Sequence, residues 1–409
     1  MQISAKRSEI NFKSFLWHSI FLALASNFMD IDTIIPSMLI KAGGTPMHLG
    51  LLTAIMLGGT KIFQLIFASD ISKKTFKKKY LLIGINIRVV SLILLALLFY
   101  KSANLDGNTI ILSIFVLITI FALSGSYSAI SYNDIFGKSI KQESRKHFFS
   151  LKQTINSIGV FLSALIVRDL VKRLEYPNNF ALLFFVAGLL LLIATFGFWN
   201  LREIHSKSIY KKNIFDFFRL IPKEIKKNPN LKNYLFIINS LGLGISILPF
   251  LILFAKDNFG LSYKLIGNFL LFRTIGMLIA SLVFYKVSKK VNYKILLKFN
   301  LILGALLPLI ALSFGGNQVL YQLLFIFSGI FVAIYKISDN GILMEISTNE
   351  NRALYTGISG AGSILTTIFP LIAGFLISSL GYVVVFALVS FIVLFSFIFV
   401  KKLDCYKTF

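Results

Sequence analysis

A single cysteine, Cys405, serves the whole 409-residue chain, so no intrachain disulfide can form. Acids are scarce: 17 Asp and Glu stand against 42 Lys and Arg, giving a formal net charge of +25. The four histidines, His18, His48, His147 and His205, are dispersed, and neither a zinc-protease pattern nor a phosphate loop occurs. These absences exclude the common soluble catalytic and metal-binding constellations and call for no cofactor. Zinc-finger spacing and glycine-aromatic RNA signatures are also missing, so the positive charge does not point to nucleic acid. Charged residues make up only 14% of the chain, too few for a soluble protein of this length.

Apolar residues are abundant instead. They make up 56% of the chain, and Phe alone occurs 42 times. A membrane helix needs about 20 mostly apolar residues, and twelve such stretches can be counted, centred near Asn27, Gly58, Ser91, Phe121, Leu162, Leu190, Gly244, Met277, Ala305, Ser328, Thr366 and Ile392. The first begins like a signal peptide, with Lys6, Arg7 and Lys13 before Ala23-Leu24-Ala25, but its apolar run continues through Ile40. It is read as an uncleaved first helix.

Basic residues sort by side. Of the 42 Lys and Arg, 32 fall in alternate gaps between the apolar stretches, seven fall in the other gaps, and three lie within stretches: Lys61, Arg88 and Arg273. Cytoplasmic loops accumulate Lys and Arg, which places both termini in the cytoplasm and attracts the basic face to anionic lipid. The strongly basic segment between Arg202 and Lys232 divides the spans six and six. The expected organisation is therefore a six-helix half over residues 1–201, a linker over 202–231 and a second half over 232–409. Within the linker, Ile214, Phe215, Phe217, Phe218, Ile221 and Ile225 recur at mostly helical spacing, which fits either an amphipathic helix on the membrane surface or a solvated basic linker.

An internal repeat supports the division. Asn133 with Glu143 and Arg145, and Asn340 with Glu350 and Arg352, are spaced alike 207 residues apart; Ser72-Lys73-Lys74 returns as Ser288-Lys289-Lys290 216 residues on.

These features, together with the Ala42-Gly43-Gly44-Thr45 run before Gly50-Leu51-Leu52 and the segment Arg145 to Gln153, make the chain resemble a bacterial transporter of the major facilitator superfamily (MFS). The resemblance implies an all-α membrane protein of twelve transmembrane helices in two six-helix halves, acting as a monomer on a small-molecule substrate with a proton or another coupling ion. It implies secondary active transport of a small polar solute, anions among the candidates, by alternating access. A multidrug or efflux exporter is the alternative, and a multispan membrane enzyme acting on lipid a more distant one. The superfamily's loop motif after span two is only partly matched: Asp70 and Lys74 fit, while Ile66, Ile71, Lys73 and Thr75 depart from it. The arginine of proton-coupled exporters in span four and their Gly-Pro pair in span five are both missing, as are the sugar-porter signatures.

Ionisable groups at membrane depth are costly and become functional candidates by default. Asn27 and Asp30 share a helical face in span one and are candidate substrate or coupling residues. Asp32 points elsewhere and reads as a solvated residue of the outer mouth, with Pro36 loosening the helix above. Arg273 and Lys61 could each neutralise Asp30 or hold an anionic solute. Arginine's bidentate fork makes Arg273 the better ligand. Arg88, about 12 Å from the inner end of span three, reads as a structural brace. Tyr127 and Ser128, Asn239 and Gln322 are further cavity candidates, each equally readable as helix packing. Asp70, Glu143, Arg145, Glu350 and Arg352 are candidate gating contacts; for Asp70 an ordinary helix-end charge is the competing reading.

Overall fold

The computed structural model describes residues 4–59, 63, 67, 71, 74–203, 214–287, 291–346, 355, 358–360 and 362–403. Among the described residues all regular structure is helical, as it must be where no water can satisfy backbone groups and the chain does not close a barrel. The helices are α1 (Ala5–Ser26), α2 (Ile34–Lys41), α3 (Pro46–Thr53), α4 (Lys78–Tyr100), α5 (Gly107–Ser139), α6 (Gln142–Arg173), α7 (Asn178–Trp199), α8 (Ile214–Lys227), α9 (Pro229–Ser246), α10 (Leu248–Phe259), α11 (Tyr263–Val287), α12 (Tyr293–Ser313), α13 (Gln318–Ile346), α14 (Ile364–Phe395) and α15 (Phe397–Lys401). Nine helical segments among the described residues are long and apolar enough to cross a membrane.

Polar residues at the ends set where several helices begin. Asp106 accepts from Thr109 N at 3.0 Å to cap α5, and the Thr109 hydroxyl and amide hold this exposed carboxyl below the usual range. Asn228 caps α9 with Pro229 in the first turn, and Asn292 caps α12 through Lys294 N. Thr45 and His48 form a reciprocal capping box ahead of α3. The linker residues from Ile214 to Lys227 form one helix, α8, interrupted in composition by Pro222.

Span one is not continuous. After α1 it narrows to a single 3-10 turn, Asn27–Met29, then runs extended at Asp30 and turns through residues 31–33 before α2. The cause is Pro36: it has no amide to donate to the Asp32 carbonyl one turn back, and its ring crowds that carbonyl. The ladder resumes with Ser37 N donating to Thr33 O at 3.1 Å. Span two loosens as well, with a π-helical segment at Ala54–Gly59.

The chain packs as two compact units. The first comprises residues 1–30, 41–43 and 62–214; the second comprises 31–40, 44–61 and 215–409, so the chain changes unit at the break in span one. In the first unit α1 packs on α6 and α7, and α4 lies between α5 and α7. Its densest core is aromatic: Phe15 is fully buried and meets Tyr132, Phe136, Phe148 and Phe198 edge-on.

The second unit is held by close backbone approach. A Cβ on Gly276 of α11 would lie 1.9 Å from the Ile326 carbonyl oxygen of α13, and one on Gly329 2.0 Å from that of Arg273. Helix α3 crosses α14 in the same way, with Gly50 beneath the Pro370 carbonyl and Gly374 beneath that of Pro46. Small residues permit this approach where lipid offers no hydrophobic drive to association. Gly58 and Gly242 likewise face Thr367 and Thr366 of α14. Gly360 has no atom within 4 Å of a Cβ position.

Matching braces recur in the two units. Asn11 donates to the Arg202 carbonyl at 3.0 Å, and Asn233 donates to the Lys402 carbonyl at 3.1 Å. The Lys78 ammonium donates to the Trp199 carbonyl at 2.6 Å, and that of Lys294 to the Lys401 carbonyl at 3.1 Å. In the first unit α1 and α4 thus grip the chain leaving α7, and in the second α9 and α12 grip the end of α15.

Candidate functional site

Asp32 and Arg273 form a buried ion pair in the second unit. Each residue is only 4% exposed, and the guanidinium Nη2 donates to Asp32 Oδ2. Arg273 sits ten residues into α11, near its middle. Asp32 is brought to it by the interruption in span one. Moving both charges out of water is expensive, and the attraction between them repays the cost only while both are present.

This placement corrects one expectation: Asp32 is not a solvated mouth residue but a buried partner of Arg273. The expectation assumed a continuous helix. The turn at residues 31–33 reorients every side chain beyond Asp30, so helical spacing cannot be carried across it. Asp30 itself is half-buried at the end of the 3-10 turn. Asn27 is 2% exposed and donates to the Val160 carbonyl and to Ser163 Oγ of α6, the latter at 3.1 Å. It ties two helices of the first unit together.

A second polar group in this unit joins α11 to α13: Asn268 donates to Gln322 Oε1 at 2.6 Å. A third was not foreseen. The Tyr234 hydroxyl of α9 donates to Asp339 Oδ1 of α13 at 2.6 Å and lies 3.1 Å from Ser359 Oγ. Tyr234 is fully packed at 1% exposure, so its hydroxyl depends on these partners. Asn239, one of the cavity candidates, turns its amide nitrogen back to the Leu235 carbonyl at 2.8 Å, and its Oδ1 has no partner among the described residues.

In the first unit the structure brings together residues that the sequence kept apart. Arg88 of α4 lies 4.2 Å above the Phe121 ring of α5. Lys152, one of the five cations of the gap from Lys138 to Lys152 in the sequence count, is half-buried within α6. Its ammonium lies 3.5 Å from the Tyr132 hydroxyl and 5.5 Å from that ring. His18 is 6% exposed, stacks on Phe198 at 4.4 Å and neighbours Tyr132 at 6.2 Å. The available signal was the position of Lys152 next to Gln153, at the start of an apolar run.

The remaining candidates scatter. Ser128 bonds the Gly125 carbonyl at 3.0 Å and packs where Gly84 leaves room, making it a helix contact. Tyr127 meets Phe67 edge-on at 5.3 Å and Tyr80 at 6.2 Å. Glu143 and Arg145 lie in the first turn of α6. Lys61, Asp70, Glu350, Arg352 and Cys405 fall outside the described residues. Among the described residues no group of three or more His, Cys, Asp or Glu is placed to hold a metal ion.

A helical membrane chain with a duplicated scaffold, a broken first span and a buried ion pair at the break has the construction of a membrane transporter. Residues 16–248 and again 234–404 match the Major Facilitator Superfamily, and the chain belongs to that family. A comparison with the curated proteins finds no match. Among solved structures, the fold is similar to a mutant form of the nucleoside transporter NupG, at 16% identity and a TM-score of 0.69, over 96% of this chain and 100% of that one. It is similar to a POT family transporter in complex with 5-aminolevulinic acid, at 15% identity and a TM-score of 0.68, covering 96% of both. A bacterial homologue of the human lysosomal transporter Spinster, in an inward-facing and unoccupied conformation, aligns at 12% identity and a TM-score of 0.58, over 98% of this chain and 96% of that one. The family and these neighbours indicate a transporter rather than an enzyme.

Proposed function

We propose that this chain is a secondary active transporter that moves a small polar, anionic solute across a bacterial inner membrane by alternating access. The observation that carries the reading is the interruption of span one at Asp30–Thr33, with the Asp32–Arg273 pair beside it. Unwound backbone at membrane depth is tolerated only in protein or at a water-filled cavity, and broken helices at the midplane are where transporters bind substrate and ions. Asp30, at the end of the 3-10 turn, is the coupling carboxylate. Asp32 and Arg273 form the pair whose making or breaking biases the two access states; a few kcal/mol suffices for such a bias.

Twelve spans, six in each half, are part of this reading. The segment Ile358–Lys401 is 44 residues long, roughly 66 Å of helix against a hydrocarbon core of about 30 Å. Gly381, at φ 80° and ψ 176°, interrupts it. That supports two spans there. The 32-residue α6 and the apolar start of span two at Pro46–Gly58 supply the others. The sorting of Lys and Arg supports cytoplasmic termini, with the half boundary in the basic linker over 202–231.

Transport by purified protein in proteoliposomes tests the proposal, using organic anions, amino acids, nucleosides, 5-aminolevulinic acid, peptides and drugs with and without a proton gradient. Saturable uptake of a polar solute, accelerated by the gradient, is expected. Asp30→Asn should abolish gradient-driven accumulation and keep solute exchange. Movement of hydrophobic drugs alone would favour the exporter alternative, and no movement above protein-free vesicles would overturn the proposal.

A further inference from the structure

We infer that α8 lies in the headgroup layer of the bilayer at the point where α9 enters it, and that its basic face binds anionic lipid. The contact is independent of the transported solute.

The residues of Ile214–Lys227 sort by angle. At about 100° per residue, Ile214, Phe217, Phe218, Ile221 and Ile225 fall within an arc of about 100°, with Phe215 and Leu220 beyond its two edges. Arg219, Lys223, Lys226 and Lys227 share the opposite arc with Asp216, and Glu224 stands at the boundary. Over the second half of the helix the structure agrees with this sorting. Ile221 and Ile225 are half-buried there, whereas Lys223, Lys226 and Lys227 are exposed. Two further cations, Lys211 and Lys212, precede the helix in the sequence.

An apolar arc of this kind needs a cover. A 14-residue helix is marginal in water, and Pro222 removes one of its backbone hydrogen bonds. A solvated basic linker would not hold it helical. Among the described residues no other helix packs along α8.

The bilayer is brought to the helix by the way it ends. Asn228 N donates to the Glu224 carbonyl at 3.0 Å and closes the last turn. Asn228 itself is extended, at φ −121° and ψ 100°, and its side chain accepts from Asn230 N at 3.0 Å and Leu231 N at 3.2 Å to start α9. One residue thus separates α8 from the apolar segment Pro229–Phe259, which is long enough to cross a membrane. The extended residue makes a corner, so α8 does not run on into that segment. The Asn228 amide also donates to the Tyr355 hydroxyl at 3.1 Å, which pins the corner. A helix about 21 Å long is therefore held at the membrane edge. Helices with Phe and aliphatic residues on one face and Lys and Arg on the other lie in that plane, and their cations are drawn to anionic headgroups.

The test uses the full chain with Cys405→Ser and one new cysteine at a time, carrying an environment-sensitive dye, in nanodiscs of phosphatidylcholine with or without phosphatidylglycerol. Part of the lipid bears a nitroxide near the headgroup end of its acyl chain. Dye at Ile221→Cys should shift to the blue and be quenched in phosphatidylglycerol discs, while dye at Lys223→Cys should keep its emission in water. Without phosphatidylglycerol the docked fraction at Ile221→Cys should fall. In phosphatidylglycerol discs, Lys226→Gln combined with Lys227→Gln should lower the ratio of docked to free helix about tenfold or more. Lys226→Arg with Lys227→Arg should preserve it, which separates loss of charge from loss of fold. An unquenched dye at Ile221→Cys overturns the inference; if that dye is also blue-shifted, protein covers the apolar arc instead of lipid. Equal quenching at both positions, equal docking with and without phosphatidylglycerol, or an unaffected glutamine pair overturns it as well.

Discussion

Asp32 and Arg273, 241 residues apart, meet as an ion pair with each side chain 5% exposed. The pair exists because Pro36 interrupts span one and lets a carboxylate leave the path a straight helix would impose. Replacing either residue strands the other charge, at a cost of about 3–5 kcal/mol, whereas replacing both removes the problem. Asp32→Asn and Arg273→Gln should each lower the melting temperature in detergent substantially, and the double variant should recover most of the loss. Uptake by the double variant should nevertheless be lost. Wild-type melting of both single variants would remove the pair from the stability and gating account.

The close crossing of α11 and α13 predicts a contrast among glycines. Gly276→Ala and Gly329→Ala drive a methyl group into a carbonyl oxygen, and overpacking of this kind costs about 1–3 kcal/mol. Gly316→Ala has nothing within 4 Å and should be neutral. Thermal unfolding of the three variants reads the difference. Equal stability would mean that the crossing relaxes without cost.

Tyr234→Phe deletes the hydroxyl held between Asp339 and Ser359. A buried acceptor deprived of its donor costs about 1–3 kcal/mol, so this variant should melt earlier than wild type. Ser359→Ala should be milder, because Tyr234 keeps its bond to Asp339. A larger loss in Ser359→Ala than in Tyr234→Phe would reverse the assignment of the main partner.

Orientation can be read with one reagent. In intact cells, an impermeant maleimide should leave Cys405 unlabelled and should label Asp106→Cys and Asn317→Cys in a cysteine-free background. Ready labelling of Cys405 from outside would invert the topology.

Glu143 with Arg145 and Glu350 with Arg352 occupy matching positions in the repeat and are proposed as contacts that form when the cavity opens outward. Exposed pairs are worth only about 0–1 kcal/mol, yet that biases a two-state equilibrium measurably. Arg145→Glu or Arg352→Glu should shift cysteine accessibility toward the inward-open state. Unchanged accessibility in both would leave these residues as topological charges.

Composition and spacing along the chain were enough to establish the class, the helical make-up and the family. Apolar runs must become helices in lipid, loop charge sorts by side, and a repeated loop implies a repeated unit. Arg273 was singled out in the same way, since a cation inside an apolar stretch is visible without coordinates. Which carboxylate meets Arg273 emerged only from the folded chain. Helical spacing placed Asp30 and Asn27 on one face, but a single proline one turn beyond Asp32 broke that spacing and redirected the chain. Lys152 was hidden for a related reason. Its basic neighbours made it look like loop, and only the contact with Tyr132 shows that helix α6 holds it half-buried beside that ring. Pairings between distant segments depend on how helices cross, and those crossings are set by contacts such as Gly276 on Ile326 and Gly329 on Arg273, which no local pattern encodes.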